Sequence, residues 1–400
     1  MKQKVIIIGN SFTTRLGIIW SVAQVGCEIV IIDIGYFNSS NPPMPIDGYS
    51  KYVNQVIFFE RKYGRKGLVK LLLEKFVDPL NKAIIIPTSD FSAVSIDNDA
   101  IKEHFLVPCI NNEICSFEYW MDKVNQKDVA LKVGLDVADS VIIERKEGDF
   151  SIPSSIKYPC FTKPLASIGG GKKCLKRCDN VKDLQAVLRV AKKNDIKKIL
   201  AEDFLNIERE YAVLGFSDGE KVVIPGVIQF VRGSESHQGI AMLGIVKPIK
   251  GFEELLEKFS AFVRQIGFYG LFDIDFFESD GRFYFGEMNL RIGGSATAIS
   301  KMDVNLPAMF VKSMLGERID DMQQNVTNSA TYVNERMCMD DWIAGKISSL
   351  DFKKIISSAD IHFIINKGDR EPEKQFYKEI WKILFNYKRI VKRTRHLISH

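Results

Sequence analysis

The chain has 400 residues, 46% hydrophobic and 26% charged, with a net charge of +5; that is core enough for two or three lobes and too little charge to argue for a nucleic-acid partner. It has no run of about 18 apolar residues, and MKQKVIIIG is a short strand met at once by a polar loop, so neither a membrane span nor a signal peptide is expected. The seven cysteines are odd in number and lack a CxxC pair, which favours reduced thiols in a cytoplasmic protein over disulfides or a zinc site.

Residues 4–8 read as a buried strand, Gly9-Asn10-Ser11 as a turn into a helix over 12–25, and Cys27 to Asp33 as a second buried strand. GNSFTTRLG is not G-x-G-x-x-G, so this βαβ opening lacks the dinucleotide signature, and a dehydrogenase is the least favoured reading. A helix over 66–76 and a strand from Ala83 to Pro87 follow. Thr88-Ser89-Asp90 then stands at the strand's carboxyl end, where open α/β sheets place ligands; helix capping by Ser89 or Asp90 is the equal alternative.

Asp122-Lys123 opens a helix that Gly134 ends, and Ser140 to Ile143 leads into a second lobe. Tyr158 to Pro164 reads as a strand carrying Lys163, followed by a loop with Gly169, Gly170, Gly171 and Lys172. Three glycines free backbone N–H groups to wrap a phosphate, and the two lysines add charge, though an ordinary loop has the same composition. A helix over 180–194 precedes the strand Lys198 to Glu202, whose exit, Glu202 to Leu205, suits a base edge, while Glu210 suits ribose hydroxyls. Strands at 221–230 and 239–246 flank the polar loop Arg232 to His237, in which His237 reads as exposed rather than catalytic. A helix over 252–266 comes next.

Gly270 to Gly294 reads as two strands joined at Ser279-Asp280-Gly281. Phe272, Ile274 and Phe276 alternate with Asp273, Asp275 and Phe277, and Glu287, Asn289 and Arg291 share one face of the return strand. Two carboxylates and an amide oxygen, Asp275, Glu287 and Asn289, are hard donors that suit Mg²⁺ with phosphate oxygens. Arg291 adds a charge for a phosphoryl or carboxylate group. A solvated acidic hairpin is the plainer reading. Beyond 320, Val333 to Ile347 and Ile361 to Ile365 suggest a small α/β cap. The tail is an amphipathic helix with Phe376, Ile380, Ile383, Leu384, Tyr387, Ile390 and Val391 on one stripe and basic residues around it. Such a helix packs on its own domain or lies against anionic lipid; the sequence leaves both open.

Taken in order, these segments resemble the ATP-grasp superfamily over residues 3–318. The resemblance implies an α/β ATP-grasp fold: a Rossmann-like pre-ATP-grasp domain over 1–118, a lid over 119–202, a central antiparallel-sheet domain with the metal site over 203–320, and a C-terminal cap with a basic tail over 321–400. It places ATP phosphates on Lys123, Lys163 and the lid loop with Gly169, Gly170 and Gly171. It places adenine at Glu202, Phe204 and Leu205, ribose at Glu210, and Mg²⁺ (or Mn²⁺) on Asp275, Glu287 and Asn289. Arg291 and Lys163 are the groups it implies at the transferring phosphoryl. The segments GLFDIDFF, GEMNLRIGGS and the TSD before DK are most similar to D-aspartate ligase and the carbamoyl-phosphate-synthase-like group. The implied activity is ATP-dependent joining of a small-molecule carboxylate and an amine, an amino acid among them, through an acyl phosphate. The basic tail hints at a peptidoglycan or surface-polysaccharide precursor and at peripheral contact with the inner membrane face, and a homodimer is left open. A bicarbonate-activating enzyme of the carbamoyl-phosphate or biotin-carboxylase kind and a non-catalytic ATP-binding scaffold are the alternatives.

Overall fold

The computed structural model describes residues 2–37, 42–146, 148–165, 174–237 and 239–385; Gly169, Gly170 and Gly171 and the basic residues from 388 onward lie outside them.

Unbroken β-branched runs favour strands covered on both faces, and that is where Val5 to Ile8 and Ile29 to Ile32 lie. Lys4–Gly9, Glu28–Gly35, Val53–Glu60 and Ile84–Pro87 form a four-stranded parallel sheet with Lys4–Gly9 and Glu28–Gly35 inside. One face packs Ile6, Ile8, Val30 and Ile32 against Leu68, Leu72 and Phe76 of the helix Gly64–Phe76. The other face packs on the helix Phe12–Ala23, and the same core runs on to Phe216, Ile299 and Phe310. Gly17 makes this contact close: a Cβ there would come 2.2 Å from Thr297 Oγ1 and 2.9 Å from its Cα. The N-terminal lobe is therefore locked against the short helix Ala296–Ser300 that follows the hairpin.

The second sheet has the order Asp149–Phe150, Ser140–Lys146, Lys198–Asp203, Cys160–Pro164, Lys176–Cys178, all antiparallel. The helix Val181–Lys193 buries Leu184, Val187, Leu188 and Ala191 on it, and Asn180 caps that helix through Lys182 N and Asp183 N.

The third sheet has nine strands. Its path runs Arg282–Asn289, Phe268–Ser279, Arg209–Asp218, Val227–Gly233, Ala241–Lys247, Ala330–Val333, Ile361–His362. The alternation expected of the hairpin is present: Phe272, Ile274 and Phe276 are fully buried in a core with Phe259, Phe262 and Ile266 of the helix Glu253–Ile266. The single strand expected over 221–230 is two, Val222–Val223 and Val227–Gly233. Pro225 lies in the break and lacks the N–H a ladder needs.

Residues beyond 320 pair into this same sheet through Ala330–Val333 and Ile361–His362. The helix Glu371–Phe385 lays Phe376 and Ile380 against Ile46, Met339 and Ile364. Buried Asp369 accepts hydrogen bonds from Trp20 Nε1 (2.9 Å), Ser50 Oγ (2.5 Å) and Lys51 N (3.1 Å). Phe376 and Ile380 of the apolar stripe thus pack on their own molecule. Among the described residues no helix is long and apolar enough to cross a membrane.

Candidate active site

The hairpin register sets Asp273 opposite Asn289 and Asp275 opposite Glu287, so the four side chains share one face. A bulge follows Asp275, and Gly286 sits in it; a Cβ there would come 2.8 Å from Asp275 O. Gly293 lets the chain cross directly over Asp273, since a Cβ would lie 2.1 Å from Asp273 Oδ2. The face opens into a cavity of about 560 Å³ between the N-terminal lobe, the second sheet and the central sheet.

Arg291 ties two lobes together there. Its Nε donates to Asp90 Oδ1 (3.0 Å), its Nη2 donates to Asn289 Oδ1 (3.2 Å), and its Nη1 lies 3.5 Å from Asp273 Oδ2. Asp90 opens the helix Asp90–Ile96, whose N-cap Ser89 forms a capping box with Ser92. Ser89 is therefore the helix cap, and Asp90 lines the cavity.

Lys123 is the first residue of the helix Lys123–Lys132, and its ammonium pairs with Glu287. One turn on, buried Gln126 donates to Trp120 O (2.6 Å) and Met288 O (2.7 Å) and accepts from Met288 N (2.7 Å). That clamp fixes the helix on the strand between Glu287 and Asn289. Burial, with the charge of Lys163 second, lowers the Lys123 ammonium to about 8. Lys163 stands 2.6 Å from Glu202 across the second sheet. Lys127 donates to Ser140 Oγ (2.6 Å) and Ala138 O, and burial lowers it too. Lys123, Lys127, Lys163, Glu202 and Leu205 line a narrow slot floored by Phe277 and Phe285, beside the main cavity. Glu210, on the strand Arg209–Asp218, stands in register with Phe277; burial raises its carboxyl, and its charge in turn raises that of Asp275.

The structure thus brings together Lys123, Lys163, Glu202, Leu205, Asp275, Glu287, Asn289 and Arg291. Phe204 stands apart: its ring lies against the Arg177 guanidinium, 4.3 Å from centroid to Cζ. Asp273, Gln126 and Asn334 belong to the site although nothing in the sequence assigned them to it. Asp273 shares the face of Asp275 by the same period of two, so the pattern that found one held the other. Gln126 gave no signal, and neither did Asn334, which lines the cavity from beyond 320.

Burial raises the carboxyls of Asp273 and Asp275, the charge of Asp275 adds to the rise at Asp273, and Arg291 opposes both. Asp273 Oδ1 is buried without a hydrogen-bond partner, which marks a site built for something that supplies positive charge or a donor. Among the described residues no three Asp, Glu, His or Cys side chains converge as a metal cluster. Two carboxylates and one amide remain, a partial set that phosphate oxygens can complete. In the N-terminal lobe the carboxylate ending the second strand, Asp33, is held by Arg15 Nη1 at 2.7 Å. The group a dinucleotide fold turns to ribose is therefore already paired.

The chain matches the ATP-grasp domain family over residues 128–298. It is 24% identical over 205 residues to the carbamoyl phosphate synthase large chain of Gemmatimonas aurantiaca, covering 50% of this chain and 19% of that one. The match thus spans less than a fifth of that relative. Its fold is similar to that of N5-carboxyaminoimidazole synthetase from Staphylococcus aureus complexed with ADP (TM-score 0.62, 17% identity, 86% of each chain covered). It is also similar to that of L-amino acid ligase from Bacillus licheniformis (TM-score 0.59, 15% identity, 83% of this chain and 79% of that one covered). The lysine-bearing second sheet and the acidic hairpin both lie within the matched residues, and the chain carries an ATP-grasp domain.

Proposed function

We propose that the protein is an ATP-dependent carboxylate–amine ligase that forms an amide bond through an acyl phosphate. One observation carries this reading. Asp275, Glu287, Asn289 and Arg291 on one wall meet Lys123, with Lys163 beside it, on the other. ATP then lies with its base near Glu202 and Leu205, its ribose near Glu210, and its phosphates along Lys123 and Lys163.

The donor set fits Mg²⁺. Asp275 and Glu287 supply carboxylate oxygens and Asn289 an amide oxygen, hard ligands of the kind this ion takes together with phosphate, and Mn²⁺ accepts the same set. When bound, the ion neutralises the triphosphate and orients the terminal phosphoryl group. The chain's own residues do the rest. Lys123 and Lys163 exchange carboxylate partners for phosphate oxygens, and Arg291 holds the transferring group. A substrate carboxylate oxygen attacks the terminal phosphorus as the bond to ADP breaks. An amine nitrogen then attacks the acyl carbon, loses a proton, and inorganic phosphate leaves. The walls exclude water, which would otherwise hydrolyse the acyl phosphate.

The test is ADP release on a panel of acids and amines. Glu287→Ala should lose activity by about 10²–10³-fold, the cost typical of a charge-stabilising group; full turnover in that variant would remove the metal assignment. Bicarbonate activation is the second reading, favoured by the likeness to carbamoyl phosphate synthase large chains. A surface-polymer acceptor and contact with the inner membrane face rest only on the basic tail sequence from 388 onward.

A further inference from the structure

The cavity continues past the acids to a region that residues beyond 320 help to build. Asn334 is the N-cap of the helix Glu335–Ile343, yet its side chain makes no cap bond. An N-cap asparagine ordinarily accepts from the first turn of its own helix. Asn334 instead has a buried Oδ1 with no hydrogen-bond partner, and the residue is 4% exposed. Its backbone is fixed, since Asn334 N donates to Met242 O at 2.9 Å. A buried amide oxygen left unpaired costs free energy that a donor from outside would recover.

Across from it the helix Phe12–Ala23 begins. Its cap, Ser11, and its first-turn Thr13 and Thr14 line the cavity, and that turn carries no acidic residue. The positive end of the helix is therefore not cancelled. The two helix starts meet: the Arg336 guanidinium lies 5.9 Å from the Phe12 ring. Arg291 lines the same cavity, and a Cβ on Gly294, three residues on, would be 3.8 Å from Thr14 Oγ1. Met337 and Phe363 add apolar surface to the lining. The cavity, about 560 Å³ in all, is shared with the acidic hairpin face and Lys123.

We propose that Asn334 is a specificity-determining residue whose side-chain oxygen accepts an N–H of the substrate. The substrate is then an amino-bearing carboxylic acid. Its carboxylate lies toward Arg291 and the Ser11–Thr14 helix start, its nitrogen at Asn334, and its apolar body against Met337 and Phe363. What happens to the carboxylate rests on the ligase reading; the recognition does not.

The experiment measures binding calorimetrically with the full chain, Mg²⁺ and a non-hydrolysable ATP analogue. The probes are the standard amino acids in both hands, each paired with the acid of the same skeleton lacking the amino group, and bicarbonate. At least one amino acid should bind about 10–100-fold more tightly than its partner, the range for a hydrogen bond to a charged group. Asn334→Ala should bring the two members together, while Asn334→Asp keeps or widens the gap. Both variants should bind the ATP analogue as the parent does, which shows that they fold. An unchanged gap in Asn334→Ala, a loss of the gap in Asn334→Asp, bicarbonate or an amino-free acid binding as tightly as any amino acid, or no binding from any pair overturns the proposal. ADP release with the bound amino acid separates the two readings. Discrimination without ADP release leaves Asn334 in place and removes the ligase; ADP release without discrimination at Asn334 does the reverse.

Discussion

Two arginines among aspartates, Arg15 buried and Arg291 half-buried, behave differently. Arg15 is fully enclosed, and each guanidinium nitrogen is bonded: Nε to Asp47 Oδ2 (2.5 Å), Nη2 to Asp47 Oδ1 (3.0 Å), Nη1 to Asp33 Oδ1 (2.7 Å) and to Gly9 O (2.5 Å). Arg291 keeps 19% of its side chain exposed, faces the cavity, and leaves Asp273 with an orphaned oxygen. Removing one partner from a satisfied buried pair strands the other charges, so such a pair fixes architecture. An incompletely satisfied cluster that opens on a cavity retains bonding capacity for a ligand. The first cluster holds the N-terminal strands to their helix; the second has capacity left for chemistry.

The largest effect should come from breaking the satisfied cluster. Arg15→Ala leaves Asp33 and Asp47 without their cation and should cost about 3–5 kcal/mol in denaturant unfolding, with turnover per folded molecule little changed. Arg291→Ala should do the opposite: about 10²–10³-fold less ADP release, with a far smaller loss of stability because its site is already partly open. Gln126→Ala sharpens the contrast within the site. It removes the clamp on Met288, should cost about 1–3 kcal/mol for the stranded backbone groups, and should lower turnover by loosening Glu287 and Asn289 on either side.

The smallest effect is a pH dependence. The carboxyls of Asp273 and Asp275 are raised by burial, so the folded state holds more protons than the unfolded state above the ordinary carboxylate range. Stability from these groups is therefore greatest at low pH and falls as pH rises through the raised values, by about 1–2 kcal/mol. Mg²⁺ should offset that loss, so the melting-temperature gain on adding Mg²⁺ should be larger at pH 8 than at pH 5. Asp275→Asn should flatten the difference; a gain that is equal at both pH values in the parent contradicts the assignment.

The same contrast explains what the sequence disclosed. The strands around Ile6 and Ile31 and the Phe272–Asp273–Ile274–Asp275 alternation are local patterns of period and composition, and the hairpin register carried Glu287 and Asn289 with them. Lys123 and Lys163 were legible because each sits at the edge of an element that local signals delimit. Arg15 reads as one polar residue on a helix; its burial depends on Asp47, 32 positions away. Asn334 reaches the cavity only because Ala330–Val333 joins the edge of a sheet begun more than a hundred residues earlier. The polar loop Arg232 to His237 is held by Asp341, which accepts from Ser234 Oγ (2.9 Å), Glu235 N (2.9 Å) and Ser236 N (2.8 Å). His237 itself pairs with Asp340 at 2.9 Å. Long-range pairing of this kind leaves no periodic trace in either partner segment.

The most direct measurement is a crystal structure of the chain with Mg²⁺ and a non-hydrolysable ATP analogue. The account predicts the ion on Asp275, Glu287 and Asn289, with phosphate oxygens reaching Lys123 and Lys163. A triphosphate bound elsewhere, or an ion that touches none of the three, contradicts it.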